Sequence, residues 1–271
     1  MNALTVASKD QFFEQLADAF AKKISKTEAK KISEFAKQHY AHIPLEELVS
    51  RRFADTYGAV LAAWQFLQKR SAEETPVAVF NPDLESDGWQ STHTVVFILH
   101  PNIPFLIDSL RIAINHREIG THSIQHSILQ VNRDQNGKLE KLHTSKKKAS
   151  GSDYEAFIVL EIDRHSNPED LRDLEDTLQN VLHEVRIAVS DFPVVTEKVN
   201  EILGELDNTT AGINEEQKEE ARAFLEWLAR DHFTFLGYDE YGFATEQNGN
   251  VVGAGEDYAD EKSRGQERYV N

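Results

Sequence analysis

Two short runs constrain this chain more than any other feature. Thr94–Leu99 reads TVVFIL, and Tyr154–Ile162 reads YEAFIVLEI. Their β-branched and aromatic content predicts strands. Successive side chains of a strand point to opposite faces, yet here both sets are apolar. Val95, Phe97 and Leu99 alternate with Val96 and Ile98, and Ala156, Ile158 and Leu160 alternate with Phe157 and Val159. Such strands are central in a sheet covered on both sides, or they turn one face into an interface.

The flanking patterns supply helices and further strands. Phe12, Phe13, Leu16, Ala19 and Phe20 recur at three- and four-residue steps, and Leu48, Phe53, Tyr57, Val60, Leu61, Trp64 and Leu67 continue the pattern, so residues 1–72 read as a helical region. Val77–Phe80, closed by Asn81-Pro82-Asp83, has the signature of an edge strand. Between the two central strands come a helix over Ile103–His116, a strand over Thr121–Arg133, an Asn136-Gly137 hairpin turn and a return over Lys138–Leu142. Asn102 is expected to cap the Ile103–His116 helix and Gly120 to break it. Asn167-Pro168-Glu169-Asp170 opens another helix, with Leu171, Leu174, Leu178 and Leu182 on its inner face. Pro193 is expected to stop it, with a separate helix over Val194–Leu206.

The strand, helix, strand, strand, helix order predicts an α+β fold. It is an antiparallel sandwich of the split βαβ, ferredoxin-like type over residues 76–206, with Val77–Phe80 as the fourth strand. Residues 207–271 read as a linker, a helix over 215–230, a strand over 233–241 and a mobile tail, the start of a further module. The chain is expected to be part of something longer.

Composition excludes several function classes. There are 29 basic and 46 acidic side chains, a net charge of −17, which disfavours nucleic acid and anionic membranes as partners. No cysteine is present, so disulfides, thiolate metal sites and catalytic thiols are excluded. The N-terminus, MNALTVASKDQFFEQLADAF, lacks the basic-then-apolar form of a secretory signal. No apolar stretch approaches the roughly 18 residues of a membrane span. A soluble cytoplasmic protein is expected.

Chemical motifs are sparse. A dinucleotide fold needs a glycine-rich turn between a strand and a helix. Only Gly253-Ala-Gly255 comes near it, with no helical pattern after it. No cofactor-binding, catalytic or metal residues are therefore assigned. His183-Glu184 lacks the second histidine of a zinc helix. His39 and His42 read as solvated surface, and Lys146–Lys148 as a solvated loop. His122 and His126 share a strand face, where two imidazoles can bind a metal or sense pH; exposed strand histidines need neither. Asp108 and Arg111 are spaced to pair on one helix. Phe233, Phe235 and Tyr238 read as core or interface.

Two stretches go beyond patterning: HTVVFILHPNIPFLIDS, His93–Ser109, and FLEWLARDHFTFLGYDEY, Phe224–Tyr241, preceded by VRIAVSDF, Val185–Phe192. In this order they resemble the N-terminal region of the large NAD-specific bacterial glutamate dehydrogenases, over about residues 45–245. The resemblance implies ACT-like modules, which often bind amino acids and pair through their sheets, with the dehydrogenase domain far downstream. It implies a regulatory and oligomerisation segment of an enzyme that deaminates L-glutamate to 2-oxoglutarate. NAD would be bound elsewhere in the parent enzyme, and this segment alone would be inactive. The implied partners are the downstream domains of the same polypeptide, further copies in a homo-oligomer and an amino-acid effector.

The turn into the first sandwich helix is where that effector would lie, because backbone N–H groups at a helix N-terminus attract carboxylates. The candidate residues are Asn102, Ile103, Pro104, Phe105 and Asp108. The usual ACT turn resembles Asp-x-Pro-Gly-Leu; here Asn102 stands at the acid and Phe105 at the glycine. Phenylalanine there blocks close approach to the backbone. The alternative is therefore a purely architectural docking module without a ligand.

Overall fold

The computed structural model describes residues 6–72, 74–144, 147, 149–208, 214–236, 244–245 and 251–252. The chain divides into two compact units, Met1–Val185 and Arg186–Asn271.

The first unit is built on a five-stranded antiparallel sheet. Its strands are β1 (Val77–Phe80), β2 (Thr94–Pro101), β3 (Thr121–Arg133), β4 (Leu139–His143) and β5 (Asp153–Ile162), in the order β1-β2-β5-β3-β4. The two runs that are apolar on both faces are the adjacent central strands, paired from Thr94↔Ile162 to Pro101↔Glu155. The edge-strand reading of Val77–Phe80 holds: β1 pairs with β2 from Val77↔Ile98 to Phe80↔Val95. The order β1-β2-β5-β3 is that of the split βαβ sandwich, with its outer strand supplied from the N-terminal side. The β3–β4 hairpin adds a fifth strand, so the α+β, ACT-like reading stands.

Both faces are covered from within the unit. Even-numbered residues of β2 and β5, Val96, Ile98, Ala156, Ile158 and Leu160, pack with Leu106, Leu110 and Ile114 of α5 (Leu106–His116) and with Leu174, Leu178 and Leu182 of α6 (Pro168–Asn208). Odd-numbered residues, Val95, Phe97, Leu99, Phe157 and Val159, pack with a helical layer. That layer is α1 (Lys9–Ala21), α2 (Lys26–His39), α3 (Leu45–Ser50) and α4 (Phe53–Phe66). Ser8 and Ser25 start α1 and α2 by accepting the N–H groups of Gln11 and Glu28. Phe12, Phe20 and Phe35 are among the largest fully buried side chains. An α-helix and a strand each bury one periodic set, so two apolar strand faces require two helical layers.

Three local expectations are corrected. α5 begins at Leu106, not Ile103, and Asn102 is not its cap. The residue with positive φ after α5 is Glu118 (φ 58), not Gly120. Gly120 serves close approach instead: its N–H donates to Asp163 Oδ2 at 2.7 Å, and a Cβ there would lie 2.6 Å from the same oxygen. Finally, α6 runs through Pro193 without stopping. One proline deletes one N–H from the ladder. The adjoining turns keep theirs, and Thr196 Oγ1 donates to the Phe192 carbonyl at 2.9 Å.

In the second unit α7 spans Glu215–Trp227, opened by an Asn214 and Gln217 capping box, and continues as one π turn, Leu228–His232. Residues 233–236 are not a strand, contrary to expectation, and 237–241 lie outside the described residues. Phe233 is exposed and meets the ring of Phe235 edge-on at 5.5 Å; Tyr238 lies outside the described residues. Within the expected mobile tail, β6 (Ala244–Thr245) pairs with β7 (Val251–Val252). No helix among the described residues is long and apolar enough to cross a membrane.

Candidate functional site

The sheet ladder ends where the candidate turn begins. After the Pro101↔Glu155 pair, the Asn102 N–H donates to the Tyr154 carbonyl at 2.9 Å. That donor is spent on the sheet and cannot hold a ligand. Ile103 packs against the core on the α5 side, and Pro104 is exposed. Phe105 then takes φ 69 and ψ 0, the left-handed region that favours glycine, with its side chain 52 % exposed. The glycine geometry of the usual turn is thus kept without glycine.

No side chain caps α5. Its first intrahelical bond is Ser109 N–H to the Phe105 carbonyl at 3.0 Å, so the N–H groups of Leu106, Ile107 and Asp108 precede the ladder. Together they present a weak positive pole. Asp108 is exposed in that first turn, where its charge suits the helix dipole and competes with a bound carboxylate. It forms no ion pair with Arg111 among the described residues. Asn102 and Asp108 therefore flank three N–H groups, with Phe105 between them.

The opposite face of the same sheet end holds a cluster that sequence reasoning missed. Glu155 is 1 % exposed. It accepts from Arg70 Nε at 2.9 Å and from Arg133 Nε and Nη2, each at 2.7 Å. The two guanidiniums also donate to the carbonyls of Ser71, Gly137 and Leu67. This triad ties the segment after α4 to β3, its hairpin and β5. The available signal was a charge inside an apolar strand, Tyr154-Glu155-Ala156-Phe157, which must find a counter-charge. A second tie joins Arg51 to Glu161 through two parallel hydrogen bonds. Tyr40 lies in the same electrostatic neighbourhood, and burial pushes its phenol up to about 12.

The histidines divide by burial. His39 is buried, not solvated as expected: Nδ1 lies 2.9 Å from Ser127 Oγ, and the ring stacks on Phe35. Desolvation pushes its pKa down to about 3. His42 is exposed. His122 Nε2 lies 2.7 Å from Asp163 Oδ1, and its ring stacks on His93 at 4.1 Å. The Asp163 carboxyl is held below its ordinary value by those hydrogen bonds. His126 remains exposed on the β3 face, its pKa lowered by partial burial. No group of three or more His, Asp or Glu among the described residues is placed to hold a metal ion. Lys146 and Lys148 lie outside the described residues.

Comparison with known proteins places this geometry in context. A family model described as glutamate dehydrogenase, ACT1 domain, matches residues 35–178. The NAD-specific glutamate dehydrogenase of Halomonas elongata is 41 % identical over 234 residues, covering 86 % of this chain and 14 % of that protein. The NAD-specific glutamate dehydrogenase of Pseudomonas aeruginosa is 39 % identical over 249 residues, covering 92 % of this chain and 15 % of that protein. The chain thus spans about one seventh of the length of these curated relatives. The matched family region includes α3, α4, the whole sheet and the first turns of α6.

Proposed function

The chain belongs to the glutamate dehydrogenase ACT1 family, and on that premise we propose that it is a regulatory and assembly segment of a large NAD-dependent glutamate dehydrogenase. The parent reaction is the oxidative deamination of L-glutamate to 2-oxoglutarate, with NAD bound by other domains of the same polypeptide in the cytoplasm. The observation that carries this reading is the match to relatives of that name over about one seventh of their length. The segment contributes control and packing, not hydride transfer. An amino-acid effector acts through it by favouring one quaternary state over another.

The α5 N-terminus, with Asn102, Ile103, Pro104, Phe105 and Asp108, is the effector site in this reading. Three N–H groups uncapped by a side chain favour a carboxylate there. A second reading, a docking module without ligand, is favoured by the Asn102 N–H being used within the sheet and by the exposed Phe105 ring. Calorimetry of the chain against the common amino acids at millimolar concentration separates the two. Saturable heat that Asp108→Lys alters supports the effector site. No heat and no thermal shift leave the docking module. Removing residues 1–185 from the parent enzyme tests the reading they share: the chemistry persists, while effector response or assembly size is lost.

A further inference from the structure

We propose that Asn136 is a modification site: attack by the Gly137 backbone nitrogen strips its side-chain amide and leaves aspartate or isoaspartate, and a clasp on the Gly137 carbonyl sets the rate. Asn-Gly occurs at 136–137 and at 248–249, and the second pair lies outside the described residues. Asn136 is exposed in the turn between β3 and β4, open to the water that the reaction consumes. Gly137 has no Cβ to shield its nitrogen. It takes φ +77, and a Cβ there would lie 2.3 Å from the Arg70 carbonyl oxygen. The fold therefore requires glycine after Asn136, the neighbour that leaves an asparagine most open to this attack.

The chemistry needs only water. The Gly137 nitrogen gives its proton to solvent and bonds to the side-chain carbonyl carbon of Asn136. The bond from that carbon to the amide nitrogen breaks, and this nitrogen takes up a proton and leaves as ammonia. One water then opens the five-membered imide at either of its carbonyls. One opening gives aspartate. The other gives isoaspartate, in which the main chain runs through the side-chain carbons and is one atom longer.

Three hydrogen bonds hold the attacking residue back. The Gly137 N–H donates to the Asp134 carbonyl at 3.0 Å, so the proton that must leave is engaged. The Gly137 carbonyl accepts from the Arg70 N–H and from Arg133 Nη1, each at 2.9 Å. Ring closure swings the 136–137 peptide toward the side chain and carries Gly137 with it, which breaks all three. At ordinary net strength for each bond, the folded chain reacts about 100-fold more slowly than the unfolded chain. The clasp is anchored, because Arg133 is itself held by Glu155 through Nε and Nη2.

Isoaspartate does not fit the closed turn. Asp134 Oδ1 accepts the N–H groups of Asn136 and Lys138 at 2.8 and 2.9 Å, and the Asp134 N–H donates to the Lys138 carbonyl at 2.9 Å. An extra main-chain atom between those anchors displaces Gly137, and the new carboxylate is repelled by that of Asp134. The Leu139 N–H donates to the Gln68 carbonyl beside the clasp at 2.9 Å. The damage thus reaches the seam where the segment after α4 is held to the hairpin. This ageing of the first unit goes beyond the function proposed above and does not depend on it.

The test holds the 271-residue chain in mildly alkaline buffer, folded and in concentrated guanidinium chloride. Peptide mapping by mass spectrometry resolves residue 136 from residue 248, and an isoaspartyl methyltransferase label tells isoaspartate from aspartate. Residue 136 converts in both states, about 100-fold more slowly in the folded chain. Arg133→Gln, checked for folding by circular dichroism, loses one bond of the clasp and converts about 5–10-fold faster than the folded parent chain. Where that variant does not fold, the comparison of the two states decides alone. The isoaspartate form melts below both the parent chain and Asn136→Asp, which carries the charge without the extra atom. Equal rates in the two states, or no conversion of the folded chain within about 100 half-times of the unfolded one, overturns the proposal. An isoaspartate form as stable as Asn136→Asp also overturns it.

Discussion

Replacing Glu155 by glutamine should destabilise the first unit by about 3–5 kcal/mol, the usual loss when one partner of a buried ion pair is removed. The carboxylate is 1 % exposed and receives three hydrogen bonds from Arg70 and Arg133, whose side chains are each 9 % exposed. Glutamine keeps the shape and one acceptor but removes the charge. It leaves two guanidiniums without a counter-ion in a nearly dry site, and one acceptor bond is replaced by an amide N–H facing a cation. For a unit of this size each kcal/mol corresponds to about 2–4 °C in Tm, so the midpoint should fall by about 6–20 °C. Urea unfolding followed through Trp64 and Trp89, both buried in this unit, measures the change. The control is Glu140→Gln on the exposed side of β4, expected to stay within about 0.5 kcal/mol. A Glu155→Gln loss below about 1 kcal/mol would refute the reasoning, since the triad would then not be a coupled, desolvated set.

Other outcomes follow from single positions. At Phe105 (φ 69), glycine should be more stable than alanine by about 1 kcal/mol in chemical denaturation, the reverse of their order inside a helix. Alanine at Gly137 should cost about 2 kcal/mol or more, because φ is +77 and the new Cβ would lie 2.3 Å from the Arg70 carbonyl oxygen. His39 is neutral in the folded chain, its pKa pushed down to about 3 from 6.5. The unfolded chain binds that proton first, so stability is full above pH 6.5 and falls as pH drops toward 3, by about 1.4 kcal/mol per unit. His39→Gln should flatten that part of the pH–stability curve relative to the parent chain.

Much of the fold was legible because its signals are local or periodic. Strand β3 matched its expected bounds because Thr121–Arg133 lies between a helix end and an Asn-Gly turn. The two central strands declared themselves by being apolar on both faces, and that property also demanded the helical layer of α1–α4. The misreadings have a common physical origin: a local preference overruled by context. Asn102 has the chemistry of a cap, but its N–H is taken by Tyr154 across the sheet and the helix starts later. Pro193 has the chemistry of a stop, but a long helix tolerates one missing N–H. His39 and His42 share a helix spacing; only the arrival of β3 with Ser127 distinguishes the buried ring from the exposed one. The Arg70–Glu155–Arg133 triad joins residues separated by tens of positions, and no spacing rule links them. Its trace in sequence was an acid, Glu155, set just before the apolar run Ala156–Leu160. The turn residues 102–105 were located correctly at a strand–helix junction, while the left-handed conformation of Phe105 needed the backbone itself.

On the function proposed above, this chain controls or assembles a dehydrogenase whose redox machinery lies in other domains. The most direct measurement follows absorbance at 340 nm, with the purified 271-residue chain, L-glutamate and NAD, beside the parent enzyme at equal molarity. The expected result is NADH formation by the parent enzyme and none by the chain. Glutamate-dependent NADH formation by the chain alone would contradict it.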